Sequence, residues 1–350
     1  MLALDDYLRL LPKTELHCHF VSTMSAGMLI AQAEKHGVPV RTTDPEQLFD
    51  YRDLRDFLVA FEAAHQVLRT PDELAQVAFD GVRTAAIDGA LRYREYFVNP
   101  QSFADVGLGY RPLMEGILEG LRRAEAELGV GFKVIVAIRK EVTPAEAVQL
   151  VQHVADNPYP EVVGIGADYL TAEGAEDPAR FADAYALARR VGLRTTIHAG
   201  ETPSASPDDV RAAIDVLGVD RIDHGYRVVD DPELLARVVD SQIPFDATPI
   251  STTICSGWRL DPGHRLAKLI ASGANVNIST DDAVFFRTDL GREYREGLVA
   301  LGVDARTARR LALNGVEAAF CSDDEKAALR ARFTGELLAL DAMLERAEAM

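Results

Sequence analysis

Eight short apolar runs recur along this chain of 350 residues, with stretches of helical spacing between them. They are Thr14–Phe20, Leu91–Val98, Val134–Ile138, Val162–Ile165, Arg194–Ile197, Arg221–Asp223, Ile243–Phe245 and Ala274–Ile278. Runs this short suit strands better than helices. Strands in alternation with helices imply a parallel sheet, since each crossover returns the chain to the same edge. Eight such repeats predict an α/β fold of the closed (β/α)8 TIM barrel type, with a doubly wound open sheet as the alternative.

The helices carry their own start signals. Thr70-Pro71, Thr143-Pro144, Asp177-Pro178, Ser206-Pro207 and Asp231-Pro232 each pair a capping residue with proline. Proline suits the first helical position because the N–H it lacks has no partner there. Thr143 and Glu146 also fit a capping box. Between the first two strands, Leu54, Phe57, Leu58, Phe61, His65 and Leu68 share one helical face. Extra helices are therefore expected after strand one, and the last fifty residues read as helices outside the barrel. No low-complexity linker interrupts the chain, so one domain over 1–350 is expected. Gly107-Leu-Gly109 and Gly164-Ile-Gly166 leave G-x-G-x-x-G incomplete and read as turns.

A formal net charge of −18 opposes nucleic acid and anionic membrane surfaces as partners. No run approaches the roughly 18 apolar residues of a membrane span, and the N-terminal residues lack a signal peptide's basic and apolar regions. A cytoplasmic location is the expectation. Cys18, Cys255 and Cys321 are too widely spaced to suggest a disulfide scaffold or a thiolate zinc site.

Polar residues gather at the strand ends. The first run ends in His17 and His19, which alternation places on one side, with Cys18 on the other. Later runs end in His198-Ala-Gly-Glu201, Asp223-His224-Gly225 and Ser279-Thr280-Asp281-Asp282. In a barrel these C-terminal ends converge on one mouth. Three neutral imidazoles and a carboxylate, His17, His19, His198 and Asp281, suit Zn²⁺. Zinc would lower a water's pKa to about 7. Glu201 is then placed as a proton donor, His224 as the group that accepts a proton from the water or holds it in line for attack, and Asp282 as a hydrogen-bond partner for substrate. This chemistry is metal-assisted hydrolysis. A G-x-S-x-G elbow is absent, as is the H-x-E with P-C-x-x-C of cytidine-type deaminases.

Leu11-Pro-Lys-Thr-Glu-Leu-His-Cys-His19, Ile197-His-Ala-Gly-Glu201, His224-Gly-Tyr226, Ser279-Thr-Asp-Asp282 and Asn314-Gly-Val-Glu-Ala-Ala-Phe320 resemble the adenosine deaminase family of the amidohydrolase superfamily. The likeness spans nearly the whole chain. It implies one zinc on His17, His19, His198 and Asp281, and attack of activated water on C6 of a purine nucleoside. It further implies that Glu201 protonates ring N1, His224 positions and deprotonates the water, Asp282 bonds N7, and ammonia leaves.

Two departures bear on the substrate. The family continues its H-x-H with Leu-Asp-Gly or Leu-Glu-Gly, whose acid binds the ribose 5′-hydroxyl, whereas this chain has Phe20-Val21-Ser22-Thr23. The usual Ala-Gly-Asp-Glu tract is absent at Gly166-Ala-Asp168-Tyr169-Leu170. The expectation is a 5′-modified adenosine such as 6-amino-6-deoxyfutalosine, of the menaquinone route, with Ser22 and Thr23 on the longer substrate. S-adenosylhomocysteine and methylthioadenosine are further candidates of that kind. Alternatives are adenosine itself, or a non-catalytic relative that binds a nucleoside. Arg139 and Lys140 end the third strand, where they face a substrate carboxylate or form salt bridges. Trp258 and Phe285-Phe286 read as packing or as a cap on the pocket, and His65 as a core residue.

Overall fold

The computed structural model describes residues 4–348. Helix α1 (Leu4–Leu10) leads into strand β1 (Lys13–His19). Three helices, α2 (Ala26–His36), α3 (Leu54–His65) and α4 (Pro71–Asp88), intervene before β2 (Leu91–Val98). The strands then run β3 (Gly131–Arg139), β4 (Val162–Asp168), β5 (Arg194–Thr195), β6 (His198–Ala199), β7 (Ile222–His224), β8 (Phe245–Ala247) and β9 (Val276–Ile278). All named pairings are parallel between sequential neighbours.

β5 and β6 are the two halves of the fifth expected strand. The first half pairs with β4 and the second with β7. Two backbone bonds carry the pairing across the gap, Thr196 N to Ile165 O at 3.0 Å and Asp223 N to Ile197 O at 2.9 Å. The barrel closes where Cys18 bridges Asp281: His19 N donates to Asp281 O at 3.0 Å, and Asp281 N donates to His17 O at 3.1 Å. An open sheet has no such seam.

Local chemistry explains most of the helix starts. Thr70, Thr143 and Ser206 form capping boxes, and the Asp231 side chain accepts from Glu233 N and Leu234 N. Asp177 departs from this expectation. Its φ of +35° takes it out of the extended conformation a cap needs, and it makes no side-chain cap bond.

Helix Ala305–Ala318 packs on β1 and β9, and the last helix, Asp323–Glu348, buries Phe333, Leu337 and Leu340. Inside the barrel Arg221 is fully buried, paired with Glu95 at 2.8 Å and Asp246 at 2.6 Å. Buried charges of this kind are tolerated only when paired and hydrogen-bonded. No helix among the described residues is long and apolar enough to cross a membrane.

Candidate active site

The closing seam builds half of the site. Leu16 N and His17 N both donate to Ser279 Oγ, at 3.0 and 3.1 Å, and Asp281 locks into β1 on either side of Cys18. His17 Nε2 and His19 Nε2 therefore both face Asp281 Oδ1, at 3.2 and 3.3 Å. β6 supplies His198, whose Nε2 lies 3.0 Å from His17 Nε2 and 3.2 Å from His19 Nε2. All four residues are buried.

These contacts make little sense as hydrogen bonds alone. One carboxylate oxygen and three imidazole nitrogens crowd one point, and one proton serves one pair only. Tetrahedral zinc with Zn–N bonds of about 2.0–2.1 Å has ligand-to-ligand edges of roughly 3.3 Å, and the observed separations are 3.0–3.3 Å. The donor set fits zinc.

The outer faces of the rings are also held. Asp223 Oδ2 lies 3.1 Å from His198 Nδ1, and its other oxygen accepts from Thr196 Oγ1 at 2.7 Å. That carboxylate fixes the His198 proton on Nδ1 and leaves Nε2 as a lone pair. Asp168 Oδ2 lies 3.5 Å from His19 Nδ1 and is itself held by Asn99. Both acids stand at strand ends in the sequence, but nothing there assigns them a partner. Asp223 sits beside His224 in the chain, yet its partner is set by the β6–β7 register, which pairs it with His198.

His224 joins from the end of β7. It clusters with His17, His198 and Asp281. Its Nε2 has no hydrogen-bond partner and lies 4.0 Å from Asp281 Oδ2 and 3.7 Å from Glu201 Oε2. Burial pushes its pKa well below the ordinary histidine value, so the ring is neutral. Burial, then Asp281 and Glu176, push the Glu201 carboxyl up to about 8. A carboxyl in that state carries a proton at neutral pH.

Three non-glycine residues at strand ends adopt left-handed backbone: Tyr169 at φ 62°, His224 at 68° and Asp281 at 67°. Each such residue costs roughly 1–3 kcal/mol, and they cluster at functional sites.

Helix α3 roofs the site. Leu54, Phe57, Leu58 and Phe61 line one side of a narrow cavity, with Glu201 and Asp282 among the residues opposite. About 30 Å³ of it is open to a water-sized sphere. A larger cavity of about 540 Å³ lies across the other face of α3, lined by Val59, Ala60 and Phe285. Its one acid, Asp56, is already paired with Arg41 and Arg52. His19, His198, Glu201, Asp281 and Asp282 all border the smaller space.

Other expected residues lie elsewhere. Ser22 Oγ donates to His19 O and Thr23 Oγ1 to Phe20 O, both at 2.8 Å, so each hydroxyl closes its own turn. Neither lines the narrow cavity. Val21 is buried and equally absent from the lining. Arg139 pairs with Glu62 and Glu141, and Lys140 donates to His198 O at 2.6 Å. Trp258 meets Tyr226 and His264 edge to face and lies beneath the Arg265 guanidinium instead of capping the pocket. His65 is buried and bonds Phe61 O.

The adenosine deaminase family model matches residues 12–335. An adenine deaminase of Chelativorans sp. is 31% identical over 323 residues, covering 92% of this chain and 98% of that protein. An adenine deaminase of Streptomyces coelicolor is 32% identical over 336 residues, covering 95% and 96%. Among solved structures, adenine deaminase from Arthrobacter aurescens superposes with a TM-score of 0.85 at 28% identity, covering 93% and 99% of the two chains. A zinc-bound amidohydrolase from Burkhoderia ambifaria reaches 0.87 at 32% identity, covering 98% and 94%.

Proposed function

The chain belongs to the adenosine deaminase family of zinc-dependent hydrolytic deaminases, and on that premise we propose that its substrate is adenine, the free base. The observation that carries the reaction is a buried carboxyl, Glu201, 3.7 Å from His224 and set beside a converging cage of three imidazoles and Asp281.

His17, His19, His198 and Asp281 would hold the zinc. Zinc bound there supplies Lewis acidity, bringing the pKa of a water toward about 7. Glu201 donates its proton to ring N1, which draws electrons from C6. His224 is neutral with Nε2 unpartnered, and it accepts the proton that the attacking water gives up. Asp282, whose carboxyl burial raises well above the ordinary range, donates to N7. The water oxygen bonds to C6, the C6–N bond breaks, and the amino group leaves as ammonia with the proton that His224 took, while the remaining water proton returns to Glu201. Adenine and water thus give hypoxanthine and ammonia.

Two features favour the base over a nucleoside. The residue after the histidine turn begins is Val21, which can accept no bond from a sugar hydroxyl and is buried away from the cavity. On the α3 side the cavity offers only Leu54, Phe57, Leu58 and Phe61, none of which can bond a sugar hydroxyl. The relatives named as adenine deaminases agree with this choice.

A second reading, a 5′-substituted adenosine such as 6-amino-6-deoxyfutalosine, rests on the same missing acid at Val21. Ammonia release from adenine, adenosine and 5′-substituted adenosines separates the two. The account predicts the highest kcat/KM for adenine. A higher value for a 5′-substituted adenosine would install the second reading.

A further inference from the structure

Glu176 is a buried carboxylate on the loop that follows β4, outside the metal cage. It accepts three successive backbone N–H groups: Gly200 N on Oε2, then Glu201 N at 3.0 Å and Thr202 N at 3.2 Å on Oε1. Consecutive N–H groups aimed at one point form a nest for an anion. Here the chain's own carboxylate fills that nest.

The nest surrounds Glu201. Its N–H is held by Glu176, and its carbonyl accepts from Ser256 Oγ at 2.8 Å. One residue before it, Gly200 has φ +75°, and a Cβ there would lie 2.7 Å from Val210 Cγ2. Lys140 pins the His198 carbonyl at the start of the same turn. With both of its peptide groups tied, Glu201 retains only side-chain torsions. Glu176 is braced in turn, because Thr171 N donates to Ala175 O at 2.8 Å and Ala175 N donates to Thr171 Oγ1 at 3.1 Å.

We propose that Glu176 is a positioning residue for the reaction, aiming the Glu201 carboxyl at the substrate by charge-assisted bonds to the backbone on either side of it. The inference rests on the proton-donor role given to Glu201 above. A carboxylate can accept on both oxygens, whereas an amide accepts on one. Glu176→Gln therefore keeps the size and loses part of the nest. A misplacement of about 1 Å at a reacting group costs up to about 100-fold in rate.

The test is a double-mutant cycle on zinc-loaded protein, with ammonia release as the rate and metal analysis and thermal unfolding as controls. Glu176→Gln is expected to lower kcat by about 10- to 100-fold while KM and zinc content hold. In a Glu201→Gln background the same change is expected to alter the rate less than about two-fold, because the group it positions is gone. Glu176→Asp keeps the charge, and its expected kcat lies between Gln and wild type; it serves the same cycle should Gln fail to fold. An equal loss in both backgrounds, or no loss in either, overturns the positioning role. Full activity in Glu201→Gln alone overturns the role of Glu201 itself, and positioning with it.

Discussion

Asp223 Oδ2 lies 3.1 Å from His198 Nδ1, on the side of the ring that faces away from His17 and His19. The imidazole is thereby held in one tautomer, with its lone pair aimed at the other nitrogens. Asp223→Asn removes the charge and is expected to weaken zinc affinity by about 10–100-fold. Competition with a chromogenic chelator measures it. Unchanged affinity would leave Asp223 with a packing role only.

Thr23 ties the turn after β1 to α4. A Cβ on Gly81 would meet Thr23 Oγ1 at 2.6 Å and Thr23 Cβ at 2.8 Å. Neither atom can swing aside, since the hydroxyl is bonded to Phe20 O. Gly81→Ala is expected to destabilise the fold by about 1–3 kcal/mol. A denaturant midpoint equal to wild type would contradict this close approach.

Two histidines outside the cage set an acid limit on stability. Burial lowers His65 and His264 from 6.5 to about 4. The unfolded chain then binds more protons than the folded one between pH 6.5 and 4. Their contribution is complete above pH 6.5 and is lost as pH falls toward 4. The fully buried His65 accounts for roughly 1.6 kcal/mol of loss between pH 6.5 and 5. Comparing wild type with His65→Gln by chemical unfolding isolates the His65 share from the acid sensitivity of the cage. A variant with the same pH slope as wild type would show that His65 does not contribute.

The expectations that rested on short-range pattern were readable. His17 and His19 share a strand face, and Thr70, Thr143, Ser206 and Asp231 cap the helices they precede. The convergence of residues 17 and 281 was readable too, because eight alternating strands close a ring. What depends on three-dimensional register was not. The partner of His198 is set by β6 lying beside β7, and Glu176 reaches the 200–202 turn from a loop without a motif. Asp177 failed as a cap because its backbone is left-handed, which residue type alone does not encode. The hydroxyls of Ser22 and Thr23 looked free for substrate, but the turn they stand in offers nearer acceptors, His19 O and Phe20 O.

The central claim is that this site deaminates adenine with Glu201 as the proton donor. Its most direct test is kcat for adenine, by ammonia release, with wild type and Glu201→Gln carrying equal zinc. The account predicts turnover by wild type and a loss of about 10²–10⁴-fold in the variant. Equal rates in the two proteins, or no ammonia from adenine with the zinc-loaded wild type, would contradict it.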